Sequence, residues 1–237
     1  TSAKTNALQC TQWAGTCSNG YLYGEQKSLL VKNKLTLGEV ITALTVLSDD
    51  SLLIATEQTI SVSGGTKQYK KRLYVNQTEI YEPAAETTSN KVEILHAFGT
   101  GFIGSTGSDL IMGTKSSTGW DLALTTTPLF TDTFTVTSIS IFNNDRFVFS
   151  GVNYSYGYGY LKVFSKSSGG SFTNEYKPFK EKDGTTDFRY KINEVLVLKN
   201  GTSLATIVDQ DTVEKNIYIF IENRSEWKVT LSIATGH

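Results

Sequence analysis

Tyr154, Tyr156, Tyr158 and Tyr160 alternate with small or flexible residues in the run Gly151–Tyr160. In an extended chain successive side chains point to opposite faces, so the four phenols fall on one face. Such a row offers flat apolar surfaces with hydrogen-bonding tips, which suits sugar rings or a protein partner. The same row also suits a hairpin that covers a neighbouring sheet. These four tyrosines are the candidate ligand- or partner-binding residues.

Other chemistry finds less support. Glycoside hydrolysis needs an acid facing a base or nucleophile, and the strand-borne carboxylates that qualify are Glu93 and Glu194. Asp49, Asp50 and Asp145 sit in turn sequences, and Asp183, Asp187, Asp209 and Asp211 in loops. No Gly-X-Ser-X-Gly elbow occurs. His96 lies on an apolar strand as a core histidine would, and His237 is terminal. Asp209-Gln210-Asp211 lacks the glycine and glutamate that complete a calcium loop. The chain is therefore expected to be no enzyme, with no catalytic residue, metal site or cofactor.

Cys10 and Cys17 are too far apart for a Cys-X-X-Cys metal or redox motif, and two histidines are too few for a Cys/His zinc site. A disulfide between Cys10 and Cys17 is expected, closing a short loop and contributing about 2–3 kcal/mol; a pair of free buried thiols in a cytosolic protein is the alternative. Asn76, Asn153, Asn200 and Asn223 each open an Asn-X-Ser/Thr sequon at a strand end or loop, where a glycan is tolerated. The chain starts at Thr1 without a basic and apolar leader, and is read as a processed, secreted chain. A net charge of -1 gives no global attraction to nucleic acid, and no apolar run is long enough to span a membrane as a helix.

The elements that position these residues form a repeat. Apolar strands open at Val40–Leu47, Val92–Phe98, Val136–Phe142 and Ile192–Leu198. Each is followed by a tight polar turn: Ser48-Asp49-Asp50, Gly99-Thr100-Gly101, Asn143-Asn144-Asp145 and Lys199-Asn200-Gly201. Asn, Asp and Gly tolerate the positive φ angles of tight hairpins. Further strands are read at Leu52–Thr56, Thr59–Ser63 and Lys71–Val75; at Gly101–Ser105, Asp109–Gly113 and Trp120–Leu124; at Arg146–Gly151, Tyr158–Ser165 and Ser171–Tyr176; and at Ser203–Val208, Asn216–Glu222 and Glu226–Ser232. Thr78–Asn90 and Pro178–Phe188 are read as long loops, the second a solvated excursion. Four strands per repeat of roughly 40–50 residues are the mark of propeller blades. The fold class is all-β, a β-propeller of four-stranded antiparallel blades, with five blades at about 7–38, 39–88, 91–130, 135–180 and 190–237 of a single domain 1–237. Trp120 and Trp227 open the fourth strands of their blades, a repeated packing position.

The repeat Val136–Phe142, Asn144-Asp145, Arg146–Gly151 and Tyr160-Leu161-Lys162-Val163-Phe164 resembles a WD40-type blade: apolar strand, Asp turn, second strand ending in Ser-Gly, third strand. Phe164-Ser165 stands where that family has Trp-Asp, and its His-Asp-Ser-Trp network is missing. The resemblance implies a scaffold rather than a chemistry. The expected function is a secreted or cell-surface glycoprotein propeller, a structural or protein-interaction module that self-associates or binds a protein, as in a filament. A carbohydrate-binding lectin and a cytosolic WD40-like scaffold are the alternatives, and glycans are the second partner class.

Overall fold

The computed structural model describes residues 17–18, 21–22, 39–61, 65–76, 78–84, 86, 91–107, 109–125, 135–153, 158–168, 171–210 and 214–235. The chain divides into two compact units, residues 1–104 with 113–122, and residues 105–112 with 123–237. Among the described residues the regular structure is all β.

Strands β1 (Cys17–Ser18) and β2 (Tyr21–Leu22) form a small hairpin. The first four-stranded sheet runs in sequence order through β3 (Glu39–Val46), β4 (Leu52–Ser61), β5 (Lys67–Val75) and β6 (Thr78–Tyr81). This strand layout differs from the sequence expectation at two places. Leu52–Thr56 and Thr59–Ser61 are parts of one strand, because Glu57 and Gln58 do not turn but pair across with Lys71 and Lys70; Val62 and Ser63 lie outside the described residues. Thr78–Tyr81, read as loop, is the fourth strand, paired with Leu73–Val75. Its hairpin turns on Asn76, at φ 52°, whose Oδ1 accepts from Leu52 N–H at 2.9 Å.

A second sheet contains β7 (Ile94–Phe98), β8 (Gly101–Ser105), β9 (Leu110–Lys115) and β10 (Trp120–Thr125). A Cβ on Gly101 would lie 1.8 Å from the Gly113 carbonyl oxygen, so that close approach requires glycine. Trp120 opens β10 and packs its ring 5.7 Å from Phe102.

The third sheet is β11 (Thr135–Asn143), β12 (Arg146–Asn153), β13 (Tyr158–Lys166) and β14 (Phe172–Asn174). The last sheet holds five strands: β15 (Phe179–Lys180), β16 (Ile192–Val197), β17 (Ser203–Gln210), β18 (Glu214–Glu222) and β19 (Trp227–Thr235). Four of these run antiparallel in sequence order, and β15 adds parallel to β19. The fold class is thus the one expected: all-β, built of four-stranded antiparallel sheets of propeller type.

The third and last sheets share one core. Val148, Leu161 and Val163 pack with Ile192, Val195, Leu204, Phe220 and Trp227. Innermost strands β11 and β16 are joined by Thr137 Oγ1, which donates to Ile192 O at 2.7 Å, and by Val197 N–H, which donates to Ser140 Oγ at 2.9 Å. At the rim, Arg146 donates to Glu175 at 2.6 and 2.7 Å and to Glu222 at 2.6 and 2.9 Å. Its guanidinium also lies over Phe142, 4.4 Å from the ring centroid. The segment 178–188, expected as a solvated excursion, is anchored at both ends: Phe179 and Phe188 belong to this core, while Lys182, Asp183 and Thr185–Asp187 between them are exposed. Aromatic burial outweighs the loop's charge here.

Candidate ligand-binding groove

The groove begins where a ladder stops. β14 pairs with β13 only over Phe164–Lys166, and the contact ends with Glu175 N–H donating to Val163 O at 2.9 Å. Tyr176 then takes a left-handed backbone, φ 55°, with its N–H held by Asn174 Oδ1 at 3.2 Å. Pro178 lacks an N–H for any ladder. The chain leaves β13 at this point and joins β19, where Trp227 N–H donates to Pro178 O at 2.9 Å.

The gap so opened is a groove of about 390 Å³ lined along one side by Tyr158–Lys162 and along the other by Asn174, Tyr176–Phe179 and Asp187–Arg189. Gly159 sets its width at one end. Its N–H donates to Arg189 O at 3.3 Å, and a Cβ there would stand 2.2 Å from Tyr190 O.

Alternation along β13 sorts the side chains: Gly159, Leu161 and Val163 are buried, while Tyr158, Tyr160 and Lys162 are half-buried on the opposite face. The two tyrosine rings meet edge to face, 5.1 Å apart. Arg189 lies 5.8 Å from the Tyr158 ring centroid, and Lys162 lies 5.9 Å from that of Tyr160. The four side chains form a row of cation, ring, ring and cation, each neighbouring pair within cation–π or aromatic range. Asp187 is the acid of the lining. Lys180 at 2.6 Å and Arg189 at 3.2 Å hold its carboxyl below the usual carboxylate range. Lys177 turns its ammonium to Glu222 at 2.5 Å and gives the groove its stem.

Of the expected tyrosine row, Tyr158 and Tyr160 share one face and line the groove; Tyr154 and Tyr156 lie outside the described residues. Sequence reasoning missed Arg189, Lys162 and Tyr176. The available signal was the alternation Phe188-Arg189-Tyr190, one buried aromatic followed by an outward cation. Glu93 is exposed and paired with Lys91 at 2.9 Å, and Glu194 is exposed at a bulge of β16. His96 is half-buried on β7, and burial pushes its imidazole down from its usual value. Asn200 and Asn223 are exposed, but their Oδ1 atoms accept from the backbone N–H groups of Thr202 and Ser203, and of Ser225 and Glu226. They build their hairpin turns, as Asn76 does. Asn153 is 1% exposed at the end of β12, so its amide does not face solvent. Cys10, the side chain of Cys17 and the Asp209-Gln210-Asp211 side chains lie outside the described residues.

No protein-family model matches the chain, that of the WD40 repeat included, and no curated protein matches it. Among solved structures it is similar to a protein from Lactobacillus plantarum (12% identity, TM-score 0.48, covering 82% of this chain and 55% of that one). It is also similar to a protein from Bacteroides uniformis described as a candidate 6-phosphogluconolactonase (10% identity, TM-score 0.48, covering 80% of this chain and 55% of that one). The chain spans about 55% of the length of each. The expected function, a secreted structural or interaction glycoprotein with lectin or scaffold alternatives, is corrected by this comparison. The similar structure that carries a functional description is named for an enzyme.

Proposed function

We propose that this protein binds a small anionic molecule in the groove beside β13, and that it holds this ligand without transforming it. The observation that carries the reading is the row Arg189, Tyr158, Tyr160, Lys162. Two cations flank two rings in a groove of the size that suits a small ligand. A guanidinium and an ammonium give an anion charge-assisted hydrogen bonds, the strong kind. Asp187 is held ionised by its two cations, which suits it to orient Arg189 and not to exchange protons near neutral pH. In this reading the four-stranded sheets are blades of the WD40-like kind, supported by the order of strands and turns across 136–164.

The test is a titration with phenyl phosphate followed by the backbone and side-chain NMR resonances of the labelled protein. Saturable shifts centred on Tyr160, Lys162 and Arg189, with no turnover of the probe, are expected. The double variant Lys162→Gln/Arg189→Gln should lose them while keeping its melting temperature, because Arg189 is largely exposed and Lys162 half-buried. Shifts that survive in the double variant, or none in the unaltered protein, would remove this reading.

A further inference from the structure

We infer that the ligand of this groove is an aromatic anion and that Tyr176 is the third ring that holds it; the inference rests on the reading of the groove as a small-anion site. Tyr176 lines the groove yet is 85% exposed, so its ring adds little to the folded core. Its backbone, at φ 55°, lies in a region that residues with bulky side chains avoid. The turn needs that conformation to carry the chain from β14 to β15, and glycine or asparagine would supply it with less strain. A strained, exposed aromatic at the mouth of a groove points to a contact outside the fold.

The neighbouring residues define that contact. Tyr158 and Tyr160 present half-buried rings on the facing strand, and Lys162 and Arg189 place positive charge beside them. An aliphatic anion would lie beside the two cations and leave the third ring in water. A planar ring carrying a phosphate or carboxylate group uses both, with its face against the phenols and its charge at a cation. The groove, about 390 Å³, admits one such ring with its anionic group. The role of Tyr176 is specificity: it separates aromatic from aliphatic anions.

The experiment compares phenyl phosphate with methyl phosphate on the unaltered protein and on Tyr176→Gly and Tyr176→Phe, by NMR titration beside thermal melting. The unaltered protein should bind phenyl phosphate about tenfold more tightly than methyl phosphate, the scale of one ring contact. Tyr176→Gly should cut that preference to about threefold, the share left to Tyr158 and Tyr160, while keeping its methyl phosphate affinity and melting no lower than the parent. Tyr176→Phe should retain the preference. Equal binding of the two probes by the unaltered protein, a preference undiminished in Tyr176→Gly, or a lowered melting temperature in that variant would each overturn the inference and leave the groove reading standing. Binding of neither probe by the unaltered protein would remove the groove reading itself.

Discussion

Gly159 shows how one missing Cβ builds the groove. Its β13 backbone sits against Tyr190 closely enough that any side chain would strike the carbonyl oxygen. Backbone cannot yield as a flexible side chain can, so Gly159→Ala should cost about 1–3 kcal/mol. For a chain of this size each kcal/mol lowers the melting temperature by roughly 2–4 °C. The same variant should push Arg189 from Tyr158 and weaken phenyl phosphate binding; a melt and a titration check both. Trp227 is the corresponding residue in the core. It is fully buried and stacks on Phe179 with ring centroids 5.7 Å apart. Trp227→Ala should cost about 3–5 kcal/mol, read by urea denaturation. An unchanged midpoint would mean that the two sheets do not depend on this ring.

Among the elements, the rim between the third and last sheets is held by the Arg146 clamp. Its side chain and those of Glu175 and Glu222 are mostly buried. Removing the cation leaves two carboxylates close together without their shared partner, so Arg146→Met should cost about 2–4 kcal/mol, near the lower end for a broken buried pair. Adding Glu222→Gln should restore part of the loss. The pair also sets a pH dependence. Burial raises the Glu222 pKa, but hydrogen bonds from Arg146 and Lys177 outweigh it and the net shift is downward. A carboxyl with a lowered native pKa stabilises the fold above its unfolded value, about 4.3, and loses that contribution as pH falls through the native value. Stability should therefore fall on acidification below about pH 4, and less steeply in Glu222→Gln; denaturant midpoints across that range measure it.

The elements were legible in the sequence where a turn residue marks a hairpin, as at Asn144-Asp145 and Asn200-Gly201. They were not legible where pairing across a sheet decides. Glu57 and Gln58 look like a break, yet Lys71 and Lys70 opposite them continue the strand. The groove was half legible. Alternation revealed Tyr158 and Tyr160, but Arg189 arrives from a segment roughly thirty residues on, and only the fold brings it to Tyr158. Tyr176 was read as the end of a strand; its positive φ is a property of the turn away from β13 and has no local sequence mark.

At the scale of the whole molecule, a net charge of -1 hides the groove's character. That value averages 22 basic and 23 acidic residues, whereas the groove sets Lys162 and Arg189 beside one paired acid. The attraction is local and partly exposed to water, so salt should screen it. Binding of phenyl phosphate should weaken as ionic strength rises from about 0.05 to about 0.5 M, where the screening length falls well below 10 Å. Calorimetric titrations at several salt concentrations test this, and a salt-independent affinity would mean that the cations do not contact the ligand. The most direct measurement of the central claim is the phenyl phosphate titration of the labelled protein against its Lys162→Gln/Arg189→Gln variant. Saturable shifts along Tyr158–Lys162 and at Arg189 that vanish in the variant are the expected result. Identical titrations of the two proteins, or shifts confined to other sheets, would contradict it.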